Sequence, residues 1–268
     1  MRGIAGTRRT GHLGTLDPLA TGVLPIMIGQ ATRLARFWDN SEKCYEAVVR
    51  FGFATSTYDR EGEPTGPAAE PHVTAENIEI CLAGMRGEID QVPPPVSAKK
   101  INGVPAYKLA RKNIPVELKP VRVSIYELTL HSLEGDRARI SVRCSPGTYV
   151  RSIAHELGIA LGCGAHIDEL RRTASGPFRI DQARTIEDLQ TTLDEAVVRP
   201  AELLEHFPTV FVDDVTATQI RQGRDFSASA FRVDAGTEYV KAVDAQGNLI
   251  AIGHIVLPHL YHPVVVLN

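Results

Sequence analysis

Two β-branched runs separated by three turn residues constrain this chain most. Val121 to Leu133 and Ala138 to Cys144 flank Glu134–Gly135–Asp136, a turn-forming trio, and the whole reads as a β-hairpin. The chain then turns through SPGTY into VRSIAHELGIALG, where Val150, Ile153, Ala154, Leu157 and Leu161 recur at helical spacing. A third β-branched and aromatic run, YEAVVRFGF, makes a strand between Lys43 and Phe53. Thr74 is placed to cap a short helix through ENIEICLAGMRG that ends near Gly84 or Gly87. Ala20 to Arg36 reads as strand then helix, QVPPPVSAKKINGVPAY as an ordered loop, and AYKLARKN as one or two helical turns. Beyond the VRSIAHELGIALG helix, polar turns and helix continue to about His206. The last sixty or so residues differ: VTATQIRQG is a capped helix and YVKAVDAQGNLIAIGHIVL a strand–turn–strand unit around Gln246–Gly247. That composition describes a small, separate β-rich domain.

No apolar run approaches the roughly 18–20 residues a bilayer span requires. The first residues, MRGIAGTRRTGHLG, lack the apolar segment of a signal peptide. The four cysteines are scattered with no C-x-x-C pair, which reads as free thiols in a reducing cytoplasm. Net charge is only −3, yet it is unevenly distributed. Residues 1–36 carry five arginines against one acid, and residues 97–111 carry four basic residues and no acid. Residues 187–268 carry twelve acids against five basic residues. A basic front half beside an acidic tail lets one face track phosphates.

The densest cluster of special residues is GHLGTLDPLATGVLPIMIGQATR, residues 11–33. It holds one carboxylate, Asp17, before a proline that disfavours the α conformation at that aspartate. Glycines at 14, 22 and 29 permit close backbone approach or positive φ. A lone acid held this way serves either as a nucleophile or as a turn or capping aspartate, and residue type alone leaves both open. Neither a P-loop nor a dinucleotide fingerprint is present. His155 and His166 are eleven residues apart with no fixed pattern of Cys or acid ligands around them, so both read as structural.

Five ordered segments carry a resemblance: residues 11–33, SEKCYEAVVRFG, VPPPVSAKKINGVPAYKLAR, CSPGTYVRSIAHELG and LGCGAHIDELRRTASGPF. Together they resemble the signature segments of the TruB family of tRNA pseudouridine synthases, a pattern shared with guide-RNA-dependent relatives. The resemblance implies an α+β pseudouridine synthase fold: a mixed, mainly antiparallel sheet with flanking helices, followed by a small PUA-like β-rich domain. The corresponding boundaries are 1–207 and 208–268. It implies isomerisation of the T-loop uridine of tRNA at position 55, after base flipping. On this resemblance Asp17 is the nucleophile and Arg151 the basic partner that stabilises its carboxylate form. Tyr45 stacks on the uracil with a role in proton transfer, and Tyr149 lines the pocket. His12 intrudes into the T-loop, and Leu170 forms an apolar lid over the base. Lys100 (or Lys99, one register earlier), Arg171 and Arg172 face phosphates.

Two departures from the family pattern bear on function. The opening strand and K-P-x-G turn have no counterpart before Gly11, so the catalytic domain reads as N-terminally shortened. The alternative function is therefore a catalytically impaired tRNA-binding or folding chaperone of the same fold. Ser56 stands where many members carry an aspartate that helps orient the arginine. The resemblance further implies tRNA as partner through its T-arm, no cofactor, no metal, no membrane attachment and no required protein partner. A monomer located in the cytoplasm completes the expectation.

Overall fold

The computed structural model describes residues 1–97 and 118–267, with the backbone alone at 100–101 and 104–105. The helical turns expected over AYKLARKN and the side chains of Lys99 and Lys100 lie outside the described residues. In chain order the elements are β1 (Thr10–His12), β2 (Thr21–Gly22), β3 (Ile26–Ile28), a 3-10 helix (Gly29–Trp38), β4 (Lys43–Phe51), α1 (Ala75–Gly84) and β5 (Gly87–Gln91). Then come β6 (Lys100–Ile101), β7 (Val104–Pro105), β8 (Val121–Glu134), β9 (Arg137–Cys144), α2 (Val150–Ala160), β10 (Ala165–Ser175) and β11 (Phe178–Arg179). The remainder is α3 (Leu189–Ala196), β12 (Thr209–Phe211), α4 (Asp214–Arg221), β13 (Phe226–Ser227), β14 (Tyr239–Val243), β15 (Leu249–Leu257) and β16 (Leu260–Val266).

Two compact units result. One comprises Leu13–Pro25 and Trp38–Ala183; the other comprises Met1–His12, Ile26–Phe37 and Arg184–Asn268. The first is built on a seven-stranded sheet in the order β11-β10-β4-β9-β8-β5, with β2 joined to β10. Every pairing in it is antiparallel except β2 with β10, so the sheet is mixed and mainly antiparallel. The β8–β9 hairpin turns through Gly135, whose φ of +60° suits a residue without Cβ. Helices α1 and α2 supply Ile78, Leu82, Val150, Ile153, Ala154 and Leu157 to a core shared with Val49, Phe51, Ile125, Leu128 and Ile140. Each large side chain so buried contributes roughly 1.5–3 kcal/mol. Thr74 does cap α1: its hydroxyl accepts from the Asn77 N–H, and the Asn77 side chain accepts from the Thr74 N–H.

The reading of the stretch after Gly162, to about His206, as turns and helix is corrected at Ala165–Ser175, which is an eleven-residue strand. Its charged residues, Asp168, Glu169, Arg171 and Arg172, and two register shifts against β4 mask the two-residue alternation. His166 and Arg172 are nevertheless buried within it, each bonded to backbone carbonyls. Helix α2 is fixed to this strand by a close approach at Gly158. A Cβ built there would lie 2.1 Å from the Ala165 nitrogen and 2.5 Å from the Gly164 carbonyl carbon. Gly158→Ala is accordingly expected to lower stability by about 1–3 kcal/mol, read as a lower thermal midpoint.

The second unit holds a five-stranded sheet, β12-β14-β15-β16-β13, drawn wholly from residues 209–266. Val240, Ala242, Ile250, Ala251 and Tyr261 form its core with Ile220 of α4. The turn between β14 and β15 is organised by Asp244, whose carboxylate accepts from the N–H groups of Gln246 and Asn248. Among the described residues no helix is long and apolar enough to cross a membrane, and no cluster of His, Cys, Asp or Glu could hold a metal ion.

Candidate active site

The Asp17 segment is a loop pinned at both ends. The Leu13 N–H donates to the Pro25 carbonyl at 3.1 Å, and the Val23 N–H to the Arg172 carbonyl at 2.9 Å. Within the loop, Ala20 donates to the Asp17 carbonyl at 2.9 Å, closing a turn with Pro18 in the position proline favours. Gly22 pairs with Arg172 in the parallel bridge. Its φ is +98°, and a Cβ there would lie 2.2 Å from the Arg172 carbonyl oxygen, so this position takes glycine alone.

Arg151 stands in the first turn of α2 and brings three segments together. Its Nε and Nη2 donate to the two carboxylate oxygens of Asp17 at 2.8 and 2.7 Å. Nη1 donates to the Thr57 carbonyl at 2.9 Å and to Asp59 Oδ2 at 3.2 Å, and Nη2 also donates to the Val96 carbonyl at 3.1 Å. A guanidinium has five N–H donors, and these five bonds use them all. The side chains of Arg151 and Asp59 are each 4% exposed, whereas that of Asp17 is 30% exposed. The arginine is saturated and sealed; the carboxylate it grips still meets solvent.

Asp59 is the residue that sequence reasoning missed. The expected acid was position 56, but the Ser56 hydroxyl accepts instead from the Glu63 N–H. Asp59 is held by the Thr57 hydroxyl and the Glu61 N–H, and its own backbone bridges to Ile167 of β10. Between them Tyr58 adopts φ of +64°, uncommon for a bulky residue, with its ring stacked on His155 at 3.7 Å. This local strain aims the Thr57 carbonyl and the Asp59 carboxylate at one guanidinium. An aspartate in TYDREG was the available signal, and a turn-rich context concealed it.

The other expected site residues distribute as follows. Tyr45 lies on β4 directly across from Arg172 in register, and burial is the main cause that pushes its hydroxyl up to about 12, with Arg172 opposing. Tyr149 caps α2, with its backbone N–H and C=O both bonded to the buried side chain of Gln91. Burial also raises the Tyr149 hydroxyl above its ordinary value. Leu170 belongs to the same apolar cluster as Leu19 and Tyr45. Arg171 is exposed on β10. Arg172 departs from the phosphate contact expected of it: it is 1% exposed and donates to the carbonyls of Val23, Thr15 and Gly14. His12 stands on β1 in the other unit, in register with Ile26. His155 and His166 serve structure, one stacked on Tyr58 and the other bonded to the Phe53 carbonyl.

The description "TruB family pseudouridylate synthase (N terminal domain)" matches residues 2–150, and "tRNA pseudouridylate synthase B C-terminal domain" matches 151–206. The chain belongs to the TruB family. It is an RNA pseudouridine synthase. A tRNA pseudouridine synthase B from Solibacter usitatus (strain Ellin6076) is 59% identical over 272 residues, covering 100% of this chain and 93% of the relative. One from Stutzerimonas stutzeri (strain A1501) is 41% identical, covering 95% and 85%. Among solved structures, a Cbf5-Nop10-Gar1 complex aligns with a TM-score of 0.68 at 26% identity, over 96% of this chain and 73% of that one. A structure of an H/ACA RNP bound to a substrate RNA containing 2'-deoxyuridine shares the fold, with a TM-score of 0.65 at 23% identity over 100% and 78%. The boundary between the two family descriptions, 150/151, falls at the residue that grips Asp17.

Proposed function

We propose that this TruB member isomerises the uridine at position 55 in the T-loop of tRNA, with the Asp17 carboxylate acting as nucleophile. The observation that carries this reading is the two-pronged Asp17–Arg151 pair. It holds an acid at the surface of a sealed arginine, immobile on one side and open on the other. In the reaction the N1–C1′ bond breaks, the uracil turns, and a C5–C1′ bond forms. The hydrogen on C5 leaves as a proton and N1 takes one up, so atoms and electrons balance without an oxidant. A fixed carboxylate suits this chemistry because both bond changes occur at the same ribose carbon.

On the same reading Tyr45 and Tyr149 hold the base, and Leu170 closes over it as an apolar lid. His12 keeps the T-loop open, because a stacked uridine hides C1′ and C5. Exposed Arg171, with Lys100, meets backbone phosphates. Residues 208–268 act as a PUA-like domain that adds a modest share of RNA affinity, since the chain from 187 onward carries twelve acids against five basic residues.

A tRNA transcript carrying tritium at C5 of uridine tests this. The protein is expected to release one equivalent of tritium per transcript, and none from a transcript with cytidine at position 55. Release that persists from the position-55 variant would overturn the T-loop assignment. Tight binding without any release would favour an RNA-binding chaperone.

A further inference from the structure

Arg172 makes an arrangement that RNA contact does not account for. Its guanidinium spans the Asp17 loop from within, donating from Nη2 to the Gly14 carbonyl at 3.1 Å and from Nη1 toward the Thr15 carbonyl at 3.4 Å. From the opposite edge Nε reaches the Val23 carbonyl at 2.8 Å. Its own carbonyl accepts from the Val23 N–H at 2.9 Å. One residue therefore ties both arms of the loop, two and three residues before Asp17 and six after it. The same guanidinium lies beside the Tyr45 hydroxyl, across the β4–β10 pairing. Behind Gly14, the buried Lys43 side chain backs the loop and donates to the Ser175 hydroxyl at 2.8 Å.

We propose that Arg172 is a positioning residue: it fixes the Asp17 loop and the Tyr45 ring in one frame, and so sets where the carboxylate stands. This rests on the nucleophile reading of Asp17. Physical chemistry favours it over a phosphate role. At 1% exposure, with Nε, Nη1 and Nη2 turned onto the carbonyls of Val23, Thr15 and Gly14, this guanidinium has no face for an RNA backbone. Burying a cation against carbonyls alone stabilises less than an apolar side chain would, so bulk stability gives little reason to keep it. What an arginine gives here is a planar fork that reaches both arms of a loop at once. A lysine, with one point of attachment, cannot do that. Without the fork, Asp17 sits on a loop with several accessible conformations, and misplacement by about 1 Å costs on the order of 100-fold in rate.

The test compares Arg172→Lys with the unmodified protein in single-turnover tritium release at saturating tRNA, alongside tRNA affinity across a salt series. The expected result is a saturated rate lower by about 100-fold. Affinity and its salt dependence stay within a factor of about 2, and amide hydrogen exchange quickens across residues 13–25. A weaker affinity with a flatter salt dependence and an unchanged saturated rate would overturn the proposal in favour of phosphate contact. A lower melting temperature with an unchanged saturated rate would overturn it in favour of plain stability. If Arg172→Lys does not fold, Arg172→Gln, whose single amide cannot reach both arms of the loop, is measured in its place, and the same rate loss is expected. Asp17→Asn is measured in parallel. Release that survives in Asp17→Asn removes the nucleophile reading itself, a result distinct from any outcome at Arg172.

Discussion

Asp17→Asn is expected to bind tRNA as the unmodified protein does and to lose C5 tritium release by on the order of 10⁴-fold or more. The substitution keeps the shape of the side chain and removes its charge. Two features make it clean. Arg151 keeps its bonds to Asp59 and to the Thr57 and Val96 carbonyls, so the guanidinium is not left without an anion. The Asp17 side chain is also 30% exposed, so the new amide NH2 can turn toward water, at the cost of one buried Arg151 N–H that loses its acceptor. The loss should therefore fall mainly on the saturated rate, beside a stability decrease of about 1–3 kcal/mol from the unpaired Arg151 N–H. A saturated rate within about tenfold of the unmodified protein would remove Asp17 from the chemistry.

Arg151→Met is expected to damage both stability and rate. Removing the guanidinium strands Asp59, whose side chain is 4% exposed, without its cation. Breaking one partner from such a buried pair costs about 3–5 kcal/mol. The penalty arises mainly from the abandoned carboxylate, so the double variant Arg151→Met with Asp59→Asn should recover a large part of it. Catalysis should not recover with it, because Asp17 still lacks the fork that aims it. Thermal unfolding and single-turnover release on the two variants separate these effects. Equal melting temperatures for the single and double variants would show that Asp59 is not held as an ion by Arg151.

Much of this site can be read from residue order. The hairpin of β8 and β9 and the apolar stripe of α2 follow from two- and three-to-four-residue periodicities, and the structure keeps both. The pairing of Asp17 with Arg151 came from motif resemblance, since 134 residues separate them and no local pattern links them. Strand β10 was hidden by charged residues that local propensity assigns to helix or turn; tertiary bonds to His166 and Arg172 outweigh it. Asp59 was hidden because its meaning depends on the positive φ of Tyr58, a conformation that sequence does not announce. Arg172 was misread for a related reason: the basic doublet Arg171–Arg172 looks uniform, yet strand alternation sends one side chain outward and the other into the protein.

The fully occupied guanidinium of Arg151 bears on how the rearrangement is choreographed. In pseudouridine formation the uracil departs through one atom and returns through another, so something has to stay still while the base turns. A side chain with a spare donor could swing to follow the departing ring. Arg151 has none to spare, and the carboxylate locked in its fork inherits that stillness. On the proposed reading, the protein supplies a stationary pivot, and the motion of the reaction belongs to the nucleobase alone.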